Sequence, residues 1–159
     1  MGDNDQYFQW SPDSKWLAVQ YSEEGSSNGE MGLIAADGKS KLVNLTESGF
    51  NDVSPKWMMG GKMLLWFTDR DGLKSRANSG GAQYDAYAMF LTQDAFDQFK
   101  LNKDDAALLK DIKEEKEKAD TAKKKDDKKD SLLTIDWDGL KHRKLKLTIA
   151  SAELSDALV

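Results

Sequence analysis

"WSPDSKWLAVQYSEEG", Trp10 to Gly25, sets a Ser11-Pro12-Asp13-Ser14-Lys15 turn ahead of an apolar run, Trp16-Leu17-Ala18-Val19, and closes it with a polar loop ending in Gly. A turn, a short apolar run and a second loop describe one β-strand and its two connections. Shifted by 47 residues, the same order returns as "WMMGGKMLLWFTDRDG", Trp57 to Gly72. Trp10 falls over Trp57, Lys15 over Lys62, Leu17 over Leu64 and Gly25 over Gly72, while Tyr21 falls over Thr68, one place beyond Phe67. A second pair follows: "LIAADGKSKLVNLT", Leu33 to Thr46, matches "TIDWDGLKHRKLKLT", Thr134 to Thr148. Each reads as a strand, an Asp-Gly turn (Asp37-Gly38, Asp138-Gly139) and a strand ending in Leu-Thr. Asp-Gly between apolar runs signals a hairpin, because glycine accepts positive φ.

The matched halves predict a mostly β chain of about two antiparallel four-stranded units. Their length, about 40–50 residues, is that of β-propeller blades. The first unit runs from about Tyr7 to Thr46. The second begins near Phe50, with "FNDVSPKW" as lead-in and "YDAYAMFLTQ", Tyr84 to Gln93, as its outer strand after the Gly-rich "GLKSRANSGGAQ". The chain then divides into 1–102, holding strand regions at about 7–46 and 50–100; a charged helical or disordered insertion, 103–131; and 132–159, a hairpin completing the second blade and the start of a further unit. A β-sandwich with coincidental hairpins is the alternative. Two blades make an incomplete propeller, since a ring takes about four to eight. Exposed sheet faces, open edges and self-association are therefore expected.

Lys103 to Asp130 holds ten Lys and ten Asp or Glu, so it carries no net charge. Its first half, "KDDAALLKDIKEEKEKADTAKKK", reads as a helix: Asp104 or Asp105 can cap it, acids come early, lysines late, and acid–base pairs recur at i,i+4. Leu108, Leu109 and Ile112 form a short stripe that could rest on the strands. "KKKDDKKD" reads as a frayed end or tether.

Composition excludes several functions. A net charge of −5 and a pI near 5.0 argue against nucleic acid, which needs a concentrated basic surface. No cysteines occur, which removes disulfides, thiolate nucleophiles and Cys-based zinc sites. No run approaches the roughly 18 apolar residues that would span a bilayer. "MGDNDQYFQW" lacks the charged and apolar regions of a secretion signal, and reads as the start of a piece cut from a longer chain.

Candidate chemistry is thin. "GSSNG", Gly25 to Gly29, formally matches a G-x-S-x-G nucleophile elbow around Ser27, but a helix must follow that elbow, and "EMGLIAADG" reads as a strand. His142, the single histidine, sits between Lys141 and Arg143; an acid–base role would need a positioned partner such as Asp136 or Asp138. The acidic turns "TDRDG" and "IDWDG" lack the further ligand positions of a calcium loop. The aromatic residues are expected in the core, with Trp137 the most surface-visible. Ser11-Pro12-Asp13 reads as structural, the carboxylate accepting from amides downstream. No catalytic, metal or cofactor residue is assigned; no cofactor is expected, and substrate-binding residues are unknown.

"WSPDSKWLAV" with "LIAADGKSKLVNLT" resembles the propeller repeat shared by TolB and tricorn-type proteases. "DAYAMFLTQDAFDQF" before a charged excursion, and "LLTIDWDGLKHRKLKLT" after it, resemble the tricorn pattern I-D-x-D/E-G/N-hydrophobic-x-x-R. The likeness covers nearly all of the chain outside Lys103–Asp130. Two departures bear on turns: Ser14 replaces the usual Gly, and Met58-Met59-Gly60-Gly61 replaces SPDG. The resemblance implies a bacterial serine peptidase, a hydrolase acting in proteolysis, extracytoplasmic by analogy. In it the propellers admit and guide peptide substrate to a catalytic domain in cis, outside this segment. No catalytic motif of the family occurs here. A TolB-like module binding a protein partner is the alternative, and the propeller of a prolyl-oligopeptidase-type enzyme a third reading.

Overall fold

The structure, a computed structural model, describes residues 7–75, 81–120, 133–154 and 156. Residues 123–130, expected as a tether, lie outside them. The described chain is mostly β, with two four-stranded antiparallel sheets, two helices and no closed barrel. The first sheet is β1 (Phe8–Trp10), β2 (Trp16–Tyr21), β3 (Glu30–Ala35) and β4 (Val43–Asn44), ordered as in the sequence. The second is β5 (Asp52–Met58), β6 (Met63–Thr68), β7 (Asp85–Phe90) and β8 (Lys144–Lys146).

The 47-residue repeat is visible in the pairing. Trp10 lies opposite Leu17 and Trp57 opposite Leu64, so both tryptophans occupy the same place in their sheets. The turns between these strands are bonded differently but share one left-handed position. The Ser11 hydroxyl accepts from the Lys15 and Trp16 amides at 3.2 and 2.9 Å and donates to Asp13 at 2.6 Å. Asp13 in turn accepts from the Lys15 amide at 3.1 Å. Ser14 and its counterpart Gly61 both adopt left-handed backbone, with φ of 56° and 92°. The turn thus keeps its shape without its glycine, at a cost in Cβ crowding. Ser14→Gly should accordingly raise stability by about 0.5–1 kcal/mol in urea unfolding.

A second repeated device joins the third and fourth strands. Thr46 Oγ1 donates to Glu30 at 2.5 Å and accepts from the Met31 amide at 3.1 Å. In the second sheet, Thr148 Oγ1 donates to Asp85 at 2.6 Å and accepts from the Ala86 amide at 3.3 Å. Both acids are buried, where a carboxyl group left without hydrogen-bond partners is costly. Burial alone would raise the Asp85 carboxyl, but the Thr148 and Ser151 hydroxyls and the Lys146 ammonium outweigh it and hold it below its ordinary value. A lowered folded pKa means that this stabilisation is complete above the unfolded value, about 3.9, and is lost as pH falls through the folded one. Asp85→Asn should therefore flatten the acid limb of a stability-versus-pH curve while leaving its neutral-to-alkaline part parallel to wild type.

The sheets stack face to face. Ala18, Met31 and Leu33 of the first meet Leu64, Trp66 and Met89 of the second, joined by Leu45, Leu91 and Leu140. Trp57 crosses the seam, its indole N–H donating to the Gln9 carbonyl at 3.1 Å. Strand β6 is buried along its whole length, because both of its faces are covered. Its Met63, Leu65 and Phe67 face away from the first sheet and pack under α1 (Gln93–Lys100) and the segment reaching Leu147 and Leu154.

Several expectations need correction. The strand expected over Tyr84–Gln93 stops at Phe90, and Gln93 opens α1, capped by the Thr92 hydroxyl accepting from the Ala95 amide at 3.2 Å. Phe96 and Phe99 then lie on Phe90, with ring centroids 5.6 and 4.8 Å apart. In α2 (Lys103–Asp120) the cap is Asn102, not Asp104 or Asp105: Asn102 accepts from the Asp105 amide at 2.9 Å and donates to its carboxylate at 2.8 Å. Leu108, Leu109 and Ile112 do not rest on the strands; they stay 60, 36 and 38% exposed. Residues 134–138 form no strand, so Asp138-Gly139 is a turn into a short 3-10 segment, Leu140–His142, and not a hairpin. Strand β8 instead pairs with β7 across the long excursion, Ala88 opposite Leu145. Trp10 is 53% exposed, more than Trp137 at 44%, because it faces away from the sheet seam.

Candidate functional site

Ser27 lies in the exposed β2–β3 loop and is followed by strand β3, so the elbow geometry is not formed. His142 is exposed in the 3-10 segment; its amide donates to Gly139, and no hydrogen bond among the described residues ties its ring to Asp136 or Asp138. Asp136 serves as a helix partner, accepting from the Gln93 amide at 3.0 Å. Trp137 tilts against Trp16, with centroids 5.7 Å apart. Asp13 ties the first sheet's turn to the segment after the excursion by accepting from the Leu133 amide at 2.8 Å. Its carboxyl lies below the ordinary value: burial opposes this, while Ser11 and the Leu133 and Lys15 amides together prevail.

The IDWDGLKHR segment is organised around a residue that spacing alone does not explain. Arg143 is buried, and its guanidinium binds three main-chain carbonyls: Phe90 at 3.1 Å, Asp138 at 2.8 Å and Asp136. The fork geometry of arginine suits such a role, since one side chain can point donors at several acceptors. Ile135 and Leu140 meanwhile pack into the core between the sheets. Arg143 thus closes the turn and presents β8 to β7.

The described residues line at least two concavities. One is a small polar cavity of about 10 Å³ between the sheets, room for a single water-sized group. Asp52 lines it, accepting from the Trp66 indole at 3.0 Å and the Ser48 hydroxyl at 2.5 Å. Facing it are Lys144, pushed below its ordinary value by burial and then by the charge of Arg70, and the buried Thr68 hydroxyl, which has no hydrogen-bond partner among the described residues. The cavity thus brings one carboxylate together with several hydroxyl, indole and cationic donors. The other is an open groove of about 370 Å³ at the turn end of the first sheet, lined by Ser14-Lys15-Trp16 and Ala35-Ala36-Asp37. Its volume falls within the range of ligand pockets, and Trp16 gives it an aromatic wall. Sequence reasoning missed both, because each joins residues from separate strands.

Among the described residues, no group of three or more acidic or histidine side chains is placed to hold a metal ion, and no helix is long and apolar enough to cross a membrane. Compared with protein-family models, curated proteins and solved structures, the chain gives no match.

Proposed function

We propose that the chain is a non-catalytic segment of a β-propeller, two adjoining blades with a charged insertion, from a tricorn-like serine peptidase. Its role is to scaffold the ring and to form part of the path along which peptides reach a catalytic domain outside this segment. The observation that carries the reading is the IDWDGLKHR segment. Its Ile135 and Leu140 lie between the sheets, and its Arg143 binds the Phe90 carbonyl where β8 pairs with β7 across the excursion. The matched register of Trp10 and Trp57 supports the repeat, and the groove beside Trp16 gives an extended peptide a surface to touch.

Two measurements test this. The parent reading frame should contain a PDZ-like module and a serine-peptidase domain beyond the position of Val159; a frame with neither would favour a partner-binding TolB-like module instead. The purified chain should leave a peptide mixture uncleaved. Cleavage that disappears in Ser27→Ala would overturn the non-catalytic assignment.

A further inference from the structure

A buried acid stands where the repeat does not require one. The Asp52 amide donates to the Gly29 carbonyl at 2.8 Å, just ahead of Glu30, and the Ala152 amide donates to the Tyr84 carbonyl at 3.0 Å, just ahead of Asp85. Asp52 and Ala152 therefore hold equivalent places after each unit, one with a carboxylate and the other with a methyl group. Asp52 is 1% exposed, and its two oxygens accept from Trp66 and Ser48. A carboxylate accepts up to about four hydrogen bonds, so capacity remains. Thr68 lies opposite Asp52 across β5 and β6, which sets both side chains on the face that carries Trp66. Thr68 is 2% exposed, and its hydroxyl is the one buried side-chain polar atom without a hydrogen-bond partner among the described residues. Such a group is costly to leave unsatisfied. Thr68 and Asp52 line the cavity of about 10 Å³ together with Lys144 of β8.

We propose that this cavity is a binding site for one water molecule, which links Thr68 of β6, Asp52 of β5 and Lys144 of β8. The space suits a single water-sized group, and about three polar partners are what a buried water typically has. Water accepts from the ammonium and donates to the carboxylate at once, and it meets the threonine hydroxyl in either sense. An anion there would face Asp52, and a cation would face Lys144 and Arg70. A bridging water is nearly as favourable as a direct hydrogen bond. It fastens β8, which returns after the long excursion, to the strand that follows the first unit. The site rests on this cavity alone and does not depend on the peptidase reading.

Oxygen-17 relaxation dispersion of water in solutions of the full chain, read beside a crystal structure of the same chain, tests the site. Wild type should show a long-lived water that Thr68→Val loses and Thr68→Ser keeps. Denaturant unfolding supplies an independent sign. With a water bound, Thr68→Val removes a hydrogen bond and should lower the folding equilibrium constant about fivefold; in a dry cavity it removes an unsatisfied group and raises that constant. Should Thr68→Val not fold, the wild-type crystal decides, by a water within hydrogen-bond distance of Thr68, Asp52 and Lys144. A dispersion unchanged by Thr68→Val, a valine variant more stable than wild type, or a dry cavity in the wild-type crystal overturns the proposal. So does stabilisation by chloride but not by gluconate at equal ionic strength that disappears with Lys144→Met, which would place an anion in the cavity.

Discussion

Arg143→Met should lower the unfolding free energy by about 3 kcal/mol and loosen β8 from β7. Methionine keeps much of the stem's volume, so the loss isolates the guanidinium. Three carbonyls lose their donor together, and that of Phe90 lies where water does not replace it. The Phe90 amide, which donates to the Arg143 carbonyl at 2.9 Å, should lose most of its protection from hydrogen exchange. Arg143→Lys should recover only part of the stability, because one ammonium cannot hold the fork's three acceptors in its geometry. Equal stability in the methionine variant would show that the turn closes without the clamp.

Trp66→Ala should cost more, about 4 kcal/mol by denaturant unfolding. Trp66 is buried in the core between the sheets, so truncation opens a cavity there. It also removes the indole donor from Asp52, a carboxylate only 1% exposed. Trp66→Phe separates the two effects: most packing survives, and the remaining loss of about 1–2 kcal/mol reports the hydrogen bond to a buried charge. If the phenylalanine variant matched wild type, the Ser48 hydroxyl and the Asp52 backbone contact to Gly29 would be enough to hold that carboxylate.

The repeat was legible because its signals are local. Ser11 and Asp13 bind amides two to five residues away, and the apolar runs of β2 and β6 are continuous in sequence. The same holds for the Asp-Gly turn at Asp37, whose carboxylate accepts from the Lys39 and Ser40 amides at 2.9 Å each. Its partner at Asp138 misled for the same reason. The two stretches match in sequence, but the strand that β8 needs had already been supplied by β7, more than fifty residues earlier. Helix α1 carried a readable start, Thr92 before Asp94, yet its apolar residues continued the strand pattern of β7 and hid the change of period.

The order of residues was sufficient for the four strands of the first sheet, the turns at Asp13 and Asp37 and the offset between units, since alternation and turn chemistry act within about ten residues. It was not sufficient for which faces are covered. Trp10 and Trp57 occupy matching places, but one is half exposed and the other lies against the first sheet, because the second sheet has a neighbour there and the first does not. The apolar stripe of α2 stays partly exposed, whereas α1 packs two phenylalanines on Phe90. Burial is a property of partners brought from far along the chain, as Asp13 and Leu133 are, and no pattern within either segment encodes that meeting.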